Sequence, residues 1–87
     1  ETGRLLLYKT AWLQQKGLPN LMEAALTKTY LGECFRDSCL AAIAIHGGDG
    51  YKTEFGVERD LRDAIGGLIY GGTTDIQRNI VAGLLGL

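Results

Sequence analysis

Residues 21–46, LMEAALTKTYLGECFRDSCLAAIAIH, decide the fold. Helical spacing dominates here, and strict alternation is not sustained anywhere in the chain. With Asn20 as N-cap and Gly47 as terminator, the segment predicts one helix of about 26 residues, roughly 39 Å long at 1.5 Å per residue. Placed at 100° intervals, Met22, Ala25, Leu26, Thr29, Leu40 and Ile43 form one stripe. Ala24, Leu31, Phe35 and Ala42 form a second, nearly opposite. A long helix with two opposed apolar faces must be sandwiched. The 87 residues hold too little other material to cover both faces along their length, so the cover is expected from more of the same chain or from another subunit.

Working outward, a first helix is expected over about Thr2 to Lys16, closed by Gly17 with Pro19 just beyond. Leu5, Leu6, Tyr8, Trp12 and Leu13 occupy more than one side of it, which predicts two packing neighbours. After the long helix, Gly47 to Gly56 reads as a turn-rich connection in which Tyr51, Thr53 and Phe55 form a short extended piece. A third helix over about Val57 to Ile69 places Val57, Leu61, Ala64 and Leu68 on one face. Glu58–Arg62 and Arg59–Asp63 stand at i,i+4, while Gly66-Gly67 weakens the last turns. The last helix starts at Thr73 or Thr74. Thr74-x-x-Gln77 has capping-box form, Asp75 suits the helix dipole, and Ile76, Ile80, Val81, Leu84 and Leu85 make the apolar side. The fold class is therefore all-α: a partial helical bundle of long antiparallel helices followed by two shorter ones.

Composition narrows the function classes. Net charge is −1 with both signs interspersed, so no nucleic-acid tract or polybasic membrane patch stands out. No apolar run approaches the roughly 20 residues of a membrane span. The 13 glycines cluster between helices and act as punctuation. Cys34 and Cys39 with one distant histidine do not make a zinc site, and free thiols in a reducing compartment are the expected state.

Three blocks invite a chemical reading, and each has a plain alternative. Gly47-Gly48-x-Gly50 is a helix terminator and turn, or a place where absent side chains let backbone N–H groups approach a phosphate. His46, at a helix end without an acidic partner at helical spacing, reads as a cap or packed side chain and not as a base. Tyr70-Gly71-Gly72-Thr73-Thr74-Asp75 is a loop leading into a capped helix, an arrangement that also brings backbone close to a ligand. Glu54, Glu58 and Asp63 read as solvated or structural ion-pair members.

Taken together, Ile45-His46-Gly47-Gly48-Asp49-Gly50-Tyr51, Val57-Glu58-Arg59-Asp60-Leu61-Arg62-Asp63-Ala64 and the run from Ile69 to Ala82 resemble, in order and spacing, the C-terminal end of the flavin-dependent acyl-CoA dehydrogenases. The resemblance runs from about residue 4 to the last residue. It implies that 1–87 are the C-terminal part of a helical domain, with the N-terminal helical and middle β domains absent from these residues. It implies FAD as cofactor, and an α,β-dehydrogenation in which a carboxylate takes the α-proton while the β-hydrogen leaves as hydride to the flavin. Residue by residue, Ala44, Ile45, His46, Gly47 and Gly48 carry over as a strip against the ADP half of FAD held by a neighbouring subunit. Thr73, Thr74 and Asp75 approach the flavin, Gly72 contacts substrate, and Tyr70 walls the acyl pocket. Two departures matter. Ala44 stands where the family usually has glutamine, and Gly71 stands where many members carry the catalytic glutamate.

A glycine cannot be a base, so no catalytic residue is assigned in these 87 residues. The resemblance offers two accounts of Gly71. In isovaleryl- and long-chain-type enzymes the glutamate sits on an earlier helix, which is the preferred account. In some heteromeric assemblies one subunit type lacks the base, and a non-catalytic helical interaction module is the rival of another class. Expected partners are an acyl-CoA, an electron-transfer acceptor and further copies of the chain as a dimer or tetramer, with a hetero-oligomer as the alternative. No nucleic acid is expected, the compartment implied is a bacterial cytoplasm, and the isolated segment is expected to be inactive.

Overall fold

The computed structural model describes residues 1–87. Its helices are α1 (Thr2–Gln15), α2 (Leu21–His46), α3 (Gly48–Tyr51), α4 (Val57–Gly67) and α5 (Thr74–Leu84), with a 3-10 turn at Thr53–Phe55. The stop after α1 forms as the sequence predicts. Gly17 takes a φ of +69°, its N–H donates to the Gln14 carbonyl at 3.2 Å, and the Leu18 N–H donates to the Leu13 carbonyl at 3.0 Å. This pair of bonds is the Schellman closure that only a glycine accepts without strain. α2 runs over the expected 26 residues. Asn20 occupies its N-cap position, but its side chain caps nothing and donates instead to Gln14 Oε1 at 2.7 Å, tying the α1–α2 turn.

All packing radiates from α2. Helices α1, α4, α5 and α3 each contact it, and α1 contacts nothing else. Where the helices meet, the residues are small or polar. Ala25, Cys39, Ala64, Gly50, Thr27 and Gln77 are the only six buried residues, and no large side chain is fully buried. Thr27 is satisfied across the α1–α2 seam: it shares a 2.9 Å hydrogen bond with Thr10 and donates to the Leu6 carbonyl at 3.3 Å.

Four expectations need correction. The segment after Gly47 holds no extended piece; Gly48–Tyr51 and Thr53–Phe55 are helical turns, and Lys52 alone between them is extended. The chain folds back so closely that a Cβ on Gly50 would lie 2.7 Å from the Ile43 carbonyl oxygen, and a strand would not make that contact. The third helix stops at Gly67, two residues early, and Leu68 to Tyr70 wind on as tight turns bonded to Ile65 and Gly66. Arg62 approaches Glu58 at 3.9 Å, but Arg59 forms no ion pair with Asp63. On α5, Ile76 and Leu85 lie in the open, while Thr74, Gln77 and Val81 sit in on the packed side.

The expectation of two neighbours for α1 fails within this chain, because Leu5, Tyr8 and Trp12 remain more than half exposed. Both stripes of α2 are also partly bare, at Leu26 and Leu40 on one side and Phe35 on the other. The whole molecule shows the same shortage of cover. A compact chain of its mass exposes about 5,000 Å², whereas this one exposes 6134 Å². Its radius of gyration is 15.5 Å, against about 12 Å for a compact domain of its length. These 87 residues form an open slab that leaves much apolar surface uncovered.

Candidate functional site

The Tyr70–Asp75 loop is the most highly organised part of the surface. Gly71 and Gly72 have φ of +66° and +94°, so both sit where an L side chain is strained. Two side chains from different helices grip the loop from beneath. Lys28 of α2 donates from Nζ to the Gly72 carbonyl at 2.8 Å and to the Gly67 carbonyl at 3.0 Å. Gln77 of α5, itself buried, donates from Nε2 to the Gly71 carbonyl at 3.0 Å. A Cβ on Gly72 would come within 2.5 Å of that same amide, which is a second reason for glycine there.

Lys28 also closes α4. The Gly67 carbonyl belongs to the C-terminal turn of that helix, where the aligned peptide dipoles favour a cation. Tyr70 packs on the adjacent glycine pair. Its ring lies over Gly66 and Gly67, 3.4 Å from where a Gly66 Cβ would stand. The helix loses propensity there and gains a flat seat for an aromatic ring, whose outer side stays exposed.

The start of α5 is capped by Thr73, whose Oγ1 accepts from the Ile76 N–H at 3.2 Å. The N-cap is therefore Thr73 and not Thr74, the capping box expected from Thr74 and Gln77 does not form, and Gln77 instead reaches back to Gly71. The N–H groups of residues 71 to 75 donate to no acceptor in this chain. With every peptide trans, a carbonyl turned inward sends the next N–H outward. The grips on the Gly71 and Gly72 carbonyls thus turn the Gly72 and Thr73 N–H groups away from Gln77 and Lys28. The result is an array of outward donors at a helix N-terminus, suited to a carbonyl, phosphate or flavin oxygen.

The second candidate strip, Ala44 to Gly48, is exposed throughout, and Ile45 is 84% accessible. His46 Nδ1 lies 2.8 Å from the Ala42 carbonyl of its own helix, a local bond that matches the capping reading. Gly47 adopts φ 64° and ψ −139°, a conformation reserved for glycine. Gly48 differs: a Cβ there would meet nothing within 4 Å and its φ is ordinary, so nothing in this chain requires it to be glycine.

The two candidate regions are not brought together. Lys28, under the loop, and Ala44 lie sixteen residues apart on one continuous helix, about 24 Å at 1.5 Å per residue. Nor does any carboxylate stand at Gly71. Glu33 is held by Arg78 at 2.8 Å, and Asp75 is almost fully exposed beside the same arginine at 3.9 Å. No group of histidine, cysteine and acidic residues is arranged to hold a metal. Both cysteines are free; burial, then Asp60 and Asp63, push the Cys39 thiol up from its ordinary range. No helix is long and apolar enough to cross a membrane.

Lys28 is absent from the sequence-based site, and Gln77 entered it only as a cap. The available signal was faint: Lys28 is the lone cation between Lys16 and Arg36 on a largely apolar helix.

Comparison with known proteins shows the family. Residues 1–85 match the family model described as acyl-CoA dehydrogenase, C-terminal domain. A Bacillus subtilis (strain 168) protein named "Probable acyl-CoA dehydrogenase YngJ" is 44% identical over 82 residues, 94% of this chain and 22% of its own length. Among solved structures, the prolyl acyl carrier protein oxidase AnaB superposes with a TM-score of 0.95 at 44% identity, over 99% of this chain and 23% of AnaB. The FAD complex of PigA gives 0.93 at 36% identity, over 99% and 22% respectively. The chain thus spans about a fifth of the length of the relatives it matches. It belongs to the acyl-CoA dehydrogenase family, within the C-terminal helical domain.

Proposed function

We propose that these residues form the C-terminal helical part of an FAD-dependent acyl-CoA dehydrogenase, and that an N-terminal helical domain and a middle β domain complete it. The observation that carries this reading is the loop at 70–75, whose carbonyls are tied inward and whose N–H groups face out. Bound FAD would supply a hydride acceptor for the β-hydrogen, so that loss of the α-proton to a carboxylate would leave a Cα=Cβ double bond in the thioester, with the two electrons passed on to an external acceptor. In this reading Gly72 faces the substrate, Tyr70 walls off the acyl chain from water, and Thr73, Thr74 and Asp75 present backbone donors to the flavin. Gly71 contributes space and no proton transfer. The base comes from outside this segment.

The strip from Ala44 to Gly48 fits the diphosphate end of a second FAD, belonging to a neighbouring subunit. Two facts support this assignment: the open space over Gly48, and the distance from the loop, which keeps the strip away from the flavin that the loop faces. Ala44 has no amide to offer, so the contact rests on the backbone. A homo-oligomer, dimer or tetramer, follows from the same arrangement, and a bacterial cytoplasm is the compartment assigned. The thioester is that of CoA, as the family name says; the likeness to AnaB makes an acyl group on a carrier protein the related substrate to try.

Gly71 also supports a second reading, a base-lacking subunit of a heteromeric dehydrogenase or a non-catalytic helical module. The intact protein separates the two. It should purify with FAD and reduce an artificial electron acceptor when given an acyl-CoA or an acyl carrier protein. A folded intact protein that binds flavin but turns over neither favours the base-lacking subunit. One that binds no flavin overturns the dehydrogenase reading.

A further inference from the structure

We propose that Lys28 and Gln77 are positioning residues for the dehydrogenation, presetting the Gly71–Thr73 peptides so that their N–H groups face the acyl thioester and the flavin. The proposal rests on the dehydrogenase reading above for the identity of the ligand, and on hydrogen bonds within this chain for the geometry. Lys28 joins three elements at one point: it stands on α2, and its Nζ reaches the last carbonyl of α4 and the carbonyl of Gly72 in the loop. Gln77 supplies the matching grip from α5, on the carbonyl of Gly71. Two consecutive carbonyls are therefore fixed from two different helices. Their peptide planes cannot flip without breaking these bonds, and the N–H groups of Gly72 and Thr73 are fixed with them.

The grips also act on donor strength. A carbonyl that accepts from an ammonium is polarised, and polarisation along the peptide makes its own N–H a better donor. The ammonium on Gly72 thus favours the Thr73 N–H, at the start of α5, where the helix dipole already favours negative charge. Both glycines have positive φ, so without the clamp the loop has a wide choice of conformations. A packing role alone would be served by any long side chain. Two directed donors, on carbonyls rather than on carboxylates, indicate control of peptide orientation. Asn or Leu at 77, and Met at 28, would fill space and leave the carbonyls free.

The test uses the intact flavoprotein carrying this chain, as wild type, Lys28→Met, Lys28→Arg and Gln77→Leu. Three readouts are taken: steady-state kinetics with butyryl-CoA and an artificial acceptor, the change in flavin absorbance on adding acetyl-CoA (which has no β-hydrogen to lose), and amide hydrogen exchange of residues 68–76. Lys28→Met should lower kcat at least tenfold with a KM change below threefold, diminish the absorbance change, and speed exchange in 68–76 while flavin content and Tm hold. Lys28→Arg should restore part of each, and Gln77→Leu should give a smaller loss of the same kind. Unchanged exchange and kinetics in both Lys28→Met and Gln77→Leu would overturn the proposal. So would a parallel fall of flavin content, Tm and kcat that arginine does not rescue, which marks a structural role only. If wild type itself oxidises no acyl thioester, the dehydrogenase reading fails; faster 68–76 exchange in the variants then still sustains the clamp, and unchanged exchange removes it.

Discussion

The loop at 70–75 and the turn at 44–50 are both glycine-rich connections at helix ends, yet they are built on different principles. In the loop, side chains from α2 and α5 hold backbone carbonyls, and the chain itself accounts for glycine at 71 through φ and at 72 through φ and close contact. In the turn, the organising bonds are all local: backbone ones, the His46 contact to its own helix and an Asp49–Lys52 ion pair at 3.6 Å, and Ile45 stands almost fully in the open. The chain accounts for glycine at 47 and 50 but not at 48. The loop is a surface this chain finishes by itself. In the reading proposed above, the turn is half of a surface that a neighbouring subunit finishes.

That contrast breaks most visibly if the covering protein is taken away altogether. Expressed alone, the 87 residues should self-associate and bind neither FAD nor acyl-CoA. Leu5, Tyr8, Trp12, Phe35 and Ile45 are all about half exposed or more, and burying each larger apolar side chain contributes about 1.5–3 kcal/mol. Sedimentation of a compact, folded monomer at tens of micromolar would show that these faces do not need cover. A yellow preparation holding stoichiometric flavin through gel filtration would show that the loop or the strip is more self-sufficient than its contacts indicate.

Gly71→Glu in the intact protein sharpens the loop side of the comparison. Any side chain at φ +66° is strained by roughly 1–2 kcal/mol, and the new Cβ would stand 3.4 Å from Lys28 Cε. A carboxylate there can draw Lys28 Nζ away from the Gly72 carbonyl. In the preferred reading it also places a second carboxylate beside a base supplied from elsewhere, and like charges at a few ångströms raise one pKa. Turnover should fall at least about tenfold, equivalent to 1.4 kcal/mol of barrier, with a shifted pH optimum and the greatest loss on bulky acyl chains. If instead an inactive wild type gained turnover from this substitution, the base-lacking reading would replace the one preferred here.

How much of this was legible in the sequence follows the range of the interactions. α2, the glycine stop of α1 and the Val57–Leu61–Ala64–Leu68 face are set by local periodicity, and they stand as read. The misreadings share one cause. Tandem threonines at 73 and 74 satisfy the capping pattern in either register, and only the long reach of Gln77 to Gly71 selects the first. The turn after Gly47 alternates tyrosine, threonine and phenylalanine as a strand does, but Gly50 pressed on Ile43 holds it helical. Lys28 was invisible because its two acceptors lie 39 and 44 residues away, and carbonyl acceptors leave no mark in residue types.

Within the turn itself, two alanine substitutions separate what the chain needs from what a ligand needs. Gly50→Ala puts a Cβ 2.7 Å from the Ile43 carbonyl oxygen and 2.9 Å from its Cα, backbone atoms that cannot swing aside. It should cost about 1–3 kcal/mol of stability, the usual range for overpacking. Gly48→Ala meets empty space and should stay within about 0.5 kcal/mol, as surface changes do. In the intact protein it should nevertheless lower FAD retention. Equal stability losses, with flavin retention unaffected by Gly48→Ala, would reduce the strip to an ordinary helix terminator.

The smallest effect concerns the stretch of α2 between the two regions, where Cys39 is buried and Cys34 half-buried. Burial, and then the carboxylates of Asp60 and Asp63 on α4, raise the Cys39 thiol above its ordinary value. In the folded chain the neutral thiol is favoured, so the unfolded chain ionises first as the solution turns alkaline. The stability this provides is complete below the unfolded thiol's pKa of about 8.5 and is lost as pH climbs through the raised folded value. The intact protein should therefore lose stability above that pH, and Cys39→Ala should flatten the loss. An alkylating reagent at neutral pH should modify Cys34 well before Cys39. If Cys39 reacts as fast as Cys34 in the folded protein, the α2–α4 seam is wet, and the rigid helix assumed to separate the loop from the turn loses its support on that side.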